Sequence, residues 1–153
     1  ANLVENLEVQ ILDLNDFSLP VYGIDEETKN GIPENAKKFL SFIQNSDGII
    51  LSLAEHNGNF TVAFKNLYDW MSRIEQKLWS NKPMLLMATS PGGRGGASVL
   101  GIAKAGFPHM GGNIVADFSL PSFYDNFKEG NVSEENLKNQ LIEAVTIFQK
   151  STL

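Results

Sequence analysis

The sequence of 153 residues contains no cysteine and only two histidines. The absence of cysteine excludes disulfide bonds, thiolate metal sites and cysteine nucleophiles. His56 and His109 share no ligand spacing with a carboxylate, so we expect no metal site. Positive charge is also scarce, because 12 basic residues stand against 18 acidic ones and the net charge is −6. That balance argues against a nucleic-acid binder, which needs a basic surface to neutralise phosphates.

Long hydrophobic runs are absent as well. No apolar stretch approaches the ~18 residues of a membrane span, so we expect a soluble, cytoplasmic protein without a membrane partner. Hydrophobic residues make up 42% of the chain and charged residues 20%, which is ordinary for a globular protein. The length suits one domain, and we treat residues 1–153 as that single domain.

Two glycine-bearing turns, each directly after an apolar run, are the most informative feature. Residues 48–53 lead into the first turn at 54–59, and residues 84–89 lead into the second at 90–96. A helical pattern follows each turn. Strand, turn and helix place backbone N–H groups at the carboxyl edge of a parallel sheet, where open α/β folds bind nucleotide-like ligands. We therefore expect the two strands to be neighbours and their turns to open onto one crevice.

The rest of the chain completes an alternation of strands and helices. Strands are predicted at 9–14, 48–53, from Pro83 onward and at 113–118, with a long surface connection over 15–30. The strand at 48–53 is continuously apolar, as expected of a strand covered on both faces. Helices are predicted after Pro33, from Phe64 to Ile74, at 97–105 and after Ser133. This order predicts an α/β fold with a doubly wound parallel sheet.

Each turn belongs to a longer motif. The first motif is Ala54-Glu55-His56-Asn57-Gly58 followed by Phe64-Lys65-Asn66-Leu67-Tyr68-Asp69-Trp70, and the second is Ser90-Pro91-Gly92-Gly93-Arg94-Gly95-Gly96. The two motifs resemble those of the NADPH-dependent FMN reductases, a family that includes quinone, chromate and azo-dye reductases. The resemblance extends over about 9–118. It implies a flavodoxin-like sheet of order 2-1-3-4-5, an FMN cofactor, and NADPH or NADH as co-substrate.

The resemblance also implies which residues bind the flavin, largely through backbone groups. These cofactor-binding candidates are Ala54, Glu55, His56, Asn57, Gly58, Ser90, Pro91, Gly92 and Gly93. No side-chain acid or base is required, because the cofactor carries the chemistry, and we assign no catalytic residue. The alternative is a pair of tight turns without a ligand.

The sequence departs from the family in two places. Ala54 and His56 stand where the family has Pro and Tyr, and the phosphate-binding loop Gly-Ser-x-Arg-x-x-Ser is absent. We therefore expect the first strand of the flavodoxin order to be missing here, and the natural chain to extend upstream by a strand, that loop and most of a helix.

Several residues of the sequence have two possible roles each. Lys65, Asn66 and Asp69 form either a solvated helix face or a support for the first turn. Trp70 and Trp79 belong to the core or to a dimer interface. A cluster late in the chain either lines a substrate cleft or covers the sheet edge: Phe123, Tyr124 and Phe127. We expect a homodimer or a dimer of dimers.

The predicted function is an FMN-dependent oxidoreductase that takes hydride from NAD(P)H and passes electrons to a flavin, quinone or similar small acceptor. The alternative is a flavodoxin-type electron carrier that binds FMN but no nicotinamide. A receiver domain is disfavoured, because Ser52, Leu53 and Ala54 occupy the place of its acceptor Asp and 114–118 contains no Lys.

Overall fold

A mainly parallel sheet forms the centre of the structure, a computed structural model that describes residues 3–4 and 7–152. Its strands are β1 (Ile49–His56), β2 (Asn59–Phe60), β3 (Pro83–Thr89) and β4 (Asn113–Leu120). Their order is β2-β1-β3-β4. β1 and β4 both pair parallel with β3, whereas β2 pairs antiparallel with β1. The predicted α/β class with a parallel sheet is confirmed.

Among residues 3–4 and 7–152, six α-helices and one small hairpin surround this sheet. The helices are α1 (Ile24–Asn30), α2 (Glu34–Asn45), α3 (Val62–Ile74), α4 (Ala97–Gly106), α5 (Phe123–Asn126) and α6 (Glu135–Thr152). The hairpin consists of β5 (Phe127–Lys128) and β6 (Asn131–Val132). Within the described part of the chain, no helix is both long and apolar enough to cross a membrane.

The core is divided by the sheet into two clusters. On one face, Leu40 of α2, Leu67 of α3 and Val99 of α4 pack with strand residues such as Leu86. On the other face, Val145 and Phe148 of α6 pack against Leu85, Phe118 and Leu120. Three consecutive residues of β3, Met84 to Leu86, have no exposed surface, which explains the unbroken apolar run of this strand.

β1 is covered on one face only. Leu53 is 4% exposed, but Ile50, which points to the opposite face, is 37% exposed. The expectation of a strand buried on both faces is therefore wrong for β1, since α6 packs against β3 and β4. Within the described residues, the edge of β1 away from β3 has no strand partner between Ile49 and Ala54.

The segment before α2 differs from the sequence prediction. Residues 9–14 form no strand, and Val9 and Ile11 are exposed, because no described strand lies beside them to pair with their backbone. The predicted surface connection at 15–30 contains a 3-10 turn and α1. The signals for α1 were present: acidic residues 25–27 stabilise its N-terminus, and Gly31, at φ 74°, ends it.

Candidate cofactor site

The first turn is the tip of a β-hairpin. Glu55 pairs with Phe60 and His56 with Asn59, while Asn57 and Gly58 have φ values of 52° and 73°. Two consecutive left-handed residues make a type I′ turn, for which Asn-Gly is the preferred sequence. The expected direct passage from strand to helix is thus incorrect, since β2 intervenes before α3 begins.

The second turn contains two kinds of glycine. Gly95 and Gly96 have positive φ values, and a Cβ at these positions would lie 2.3 Å from Ser119 Oγ and 2.7 Å from Ala88 Cβ, respectively. Glycine is required at both positions, because the loop lies so close to the ends of β4 and β3 that a side chain would collide with them. Gly92 and Gly93 have no heavy atom within 4 Å of the corresponding position, so their backbone is open to a ligand.

The two turns lie side by side at the carboxyl edge of the sheet. β1 and β3 are in parallel register up to the pair Ala54–Thr89, which confirms that the two strands are neighbours. Glu55 Oε2 accepts a hydrogen bond from the backbone N–H of Val99 at 2.9 Å. Gly96 provides no side-chain cap for α4, so the carboxylate from the first turn caps the helix that follows the second.

A third segment, which belongs to neither motif, joins this edge. The N–H of Ser122 donates to Gly92 O at 2.9 Å, and the N–H of Phe123 donates to Ser90 O at 3.0 Å. Ser122 adopts a left-handed conformation with φ 47°. Pro121 and Ser122 directly follow β4, and this position is the sequence signal for the segment, because all parallel strands end at the same edge.

The aromatic residues in and after this segment differ in burial and in contacts. Phe123 and Phe127 stack at 5.0 Å between ring centroids and pack on the second core cluster. Both therefore cover the sheet, as one of the two interpretations expected. Tyr124 is 69% exposed beside them.

Asn66 and Trp70, in the helix motif, hold an upstream segment rather than the first turn. Asn66 donates to Pro20 O at 2.9 Å and accepts from the N–H of Tyr22 at 2.8 Å. Trp70 Nε1 also donates to Pro20 O, at 2.9 Å. These three bonds fix residues 20–22 on α3.

The remaining motif residues have structural roles. Lys65 and Asp69 form an exposed ion pair at 2.7 Å, as expected of a solvated helix face. Trp70 and Trp79 are 0% and 2% exposed. Both tryptophans therefore belong to the core of this chain, and neither presents surface for a dimer interface.

The open backbone of the second turn fits the edge of a flavin ring. Within the described chain, the N–H groups of Gly92, Gly93 and Arg94 donate to no other protein group. The ring's carbonyl and nitrogen acceptors would satisfy such donors, and glycine allows the ring to approach the backbone. The carboxylate of Glu55 already caps the N-terminus of α4, so the dipole of α4 does not by itself provide a phosphate site.

The candidate residues form an open edge. Two surface grooves lie elsewhere: one of about 430 Å³ is lined by residues such as Lys104 and Asp117, and one of about 270 Å³ by residues such as Phe17 and Leu67. No candidate residue lines either groove. Most candidates, including His56, Gly58 and Gly93, are exposed.

Comparison with known proteins identifies relatives over the region that carries both turns. The family model described as NADPH-dependent FMN reductase matches residues 1–125. A NADPH:quinone oxidoreductase from Arabidopsis thaliana is 28% identical over 98% of this chain and 77% of its own length. A quinone reductase from Escherichia coli K12 is 30% identical over 52% of this chain. The chain thus spans 42% of that bacterial relative.

A solved structure supports the same assignment. The flavoenzyme NAD(P)H:(acceptor) oxidoreductase from Paracoccus denitrificans superposes with a TM-score of 0.71 at 27% identity, over 98% of this chain and 85% of that one. These matches confirm the flavodoxin-like fold, the FMN cofactor, the nicotinamide co-substrate and the NAD(P)H-dependent oxidoreductase class that the two motifs predict. The chain belongs to the NADPH-dependent FMN reductase family.

Proposed function

We propose that this protein binds FMN along the edge formed by its first two turns and uses NAD(P)H to reduce a quinone-type acceptor. The observation that carries the proposal is the parallel pairing of β1 with β3, tied together by the bond from Val99 to Glu55. This pairing brings the exposed tip of the first turn beside the open glycines of the second.

In this proposal the ring lies against backbone at nine positions: Ala54, Glu55, His56, Asn57, Gly58, Ser90, Pro91, Gly92 and Gly93. The free N–H groups of Gly92 and Gly93 would donate to the ring edge and would stabilise negative charge that develops there on reduction. Glu55 acts through Val99 as a positioning residue, and His56 offers an exposed imidazole beside the ring edge.

When bound, FMN would supply the redox chemistry of a two-electron reduction, in which a hydride from NAD(P)H and one proton from solvent together convert a quinone to a hydroquinone. Relatives named quinone reductase and, from Bacillus sp. OY1-2, NADPH azoreductase support a planar organic acceptor. We place the protein in the cytoplasm, as one domain.

We also propose a homodimer or a dimer of dimers. Three exposed apolar side chains, on or next to the segments that Asn66 joins, support an interface there. Val21 lies between the two residues that Asn66 holds, and Val62 lies one helical turn before Asn66. Val21 and Val62 are each 78% exposed, and nearby Ile24 is 63% exposed. Light scattering at micromolar concentration tests this, and a monomer would refute it.

The experiment for the proposed site compares two glycine-to-valine variants of the full-length protein. Gly93→Val places a β-branched side chain over the open backbone, whereas Gly101→Val adds the same atoms on an exposed position of α4. We expect flavin titration to show weaker FMN binding for Gly93→Val only. If Gly93→Val and Gly101→Val bound FMN with equal affinity, Gly93 would not lie in the FMN site. Reduction of bound FMN by NADPH then separates the reductase from a flavodoxin-type carrier, which would not react.

A further inference from the structure

The carboxyl edge is formed by the two turns, residues 54–59 and 90–96, and by the third segment, residues 121–126, and Arg94 is the only lysine or arginine in these three stretches. The other arginine, Arg73, pairs with Glu27 at 3.0 Å. Among the residues that the structure describes, Arg94 has no carboxylate partner. An unpaired arginine at a ligand-binding edge is unexpected in a protein of net charge −6.

The guanidinium of Arg94 is exposed but anchored. Its Nη2 donates to Ser98 Oγ, in the first turn of α4, at 3.0 Å. Its other N–H groups donate to no further group of the described chain. Glu55, which caps the same helix turn through Val99, does not pair with it. The side chain is therefore oriented without being neutralised.

We propose that Arg94 binds a phosphoryl group of a nucleotide that occupies this edge. A guanidinium presents a planar fork of donors that matches phosphate oxygens, and it retains its charge at any physiological pH. This inference rests on the proposed function, which brings two phosphate-bearing molecules to the site. The phosphoryl group belongs either to FMN or to NAD(P)H, and the chemistry of recognition is the same for both.

The test uses Arg94→Gln in the full-length protein, with Arg73→Gln as a control that removes the same charge from an arginine outside the site. One arm measures dissociation constants of FMN and of phosphate-free riboflavin from flavin fluorescence. The other arm measures KM for NADPH and for 1-benzyl-1,4-dihydronicotinamide, a hydride donor without phosphate. Arg94→Lys, which keeps the charge but loses the fork, is a third variant.

We expect Arg94→Gln to weaken one phosphate-bearing ligand about tenfold or more, with its phosphate-free counterpart unchanged. The arm that responds identifies the source of the phosphoryl group. Arg94→Lys should be intermediate and Arg73→Gln should match the wild type in both arms. Equal behaviour of Arg94→Gln and Arg73→Gln would overturn the inference. Failure of the wild type to bind either flavin would instead contradict the proposed function.

Discussion

The carboxylate of Glu55 accepts a hydrogen bond from the backbone N–H of Val99 at 2.9 Å. Glu55 lies near the end of β1, and Val99 lies in the first turn of α4, which follows β3. A single side chain thus links the two turns of the site. The charge also interacts favourably with the positive end of the α4 dipole.

Removing this carboxylate should weaken both the fold and the site. Glu55→Ala loses a helix cap, and we expect the free energy of unfolding to fall by about 1 kcal/mol, with weaker FMN binding because the turns are no longer held together. Glu55→Gln keeps an acceptor oxygen and should lose only about 0.3–1 kcal/mol. Urea unfolding and flavin titration measure these effects. If Glu55→Ala had the unfolding free energy and the FMN affinity of the wild type, the hydrogen bond between Glu55 and Val99 would contribute to neither.

Three glycines should respond differently to alanine. Gly95→Ala meets Ser119 Oγ and a positive φ, so we expect the largest loss of stability. Gly58→Ala has open space but a left-handed backbone at φ 73°, which costs about 1 kcal/mol. Gly93→Ala has neither constraint and should remain within about 0.5 kcal/mol of the wild type. Thermal unfolding would refute this order if Gly93→Ala were the least stable.

Asn66 should matter far more than its neighbour Lys65. Asn66→Ala removes two of the three bonds that hold residues 20–22 on α3, and we expect the free energy of unfolding to fall by about 1–3 kcal/mol. Lys65→Ala breaks only an exposed ion pair and should cost less than about 0.5 kcal/mol. Asn66→Asp, which still accepts from Tyr22 but cannot donate to Pro20, should lie between them. If chemical denaturation gave the same loss of unfolding free energy for Asn66→Ala and Lys65→Ala, the hydrogen bonds of Asn66 would not stabilise the position of residues 20–22.

Tyr68 should make stability depend on pH in the alkaline range. Burial raises the pKa of its hydroxyl above the usual value, since the folded protein favours the neutral form. This contribution is complete below the unfolded pKa of about 10 and is lost as the pH rises through the folded pKa. Between about pH 9 and about pH 11, Tyr68→Phe should therefore lose less stability than the wild type. If the unfolding free energies of the wild type and of Tyr68→Phe changed equally with pH over this range, ionisation of Tyr68 would not affect stability.

Much of this arrangement could be predicted from the sequence because its signals are local. The apolar run of β3, the Asn57-Gly58 pair and the glycines of the second turn act on the backbone where they stand. The parallel neighbours β1 and β3 followed from the rule that such turns share an edge.

The remainder depends on contacts between distant residues. The hydrogen bond from Val99 to Glu55 joins residues 44 positions apart, and the hydrogen bond from Asn66 to Pro20 joins residues 46 positions apart. Hydrophobic periodicity, which reflects local structure, does not predict such bonds. Residues 9–14 carry a strand pattern, but a strand also needs a partner, and none lies beside them among the described residues. The upstream strand expected from the sequence stays a prediction.

Whether this protein binds FMN and accepts hydride from NADPH can be read from the visible spectrum of the purified full-length protein, recorded anaerobically before and after addition of NADPH. We expect the yellow absorption of bound flavin, and bleaching by NADPH to the two-electron-reduced form without a one-electron-reduced species. A protein that stays colourless after incubation with FMN, or a bound flavin that NADPH leaves oxidised, would show that the protein is not an NADPH-dependent flavin reductase.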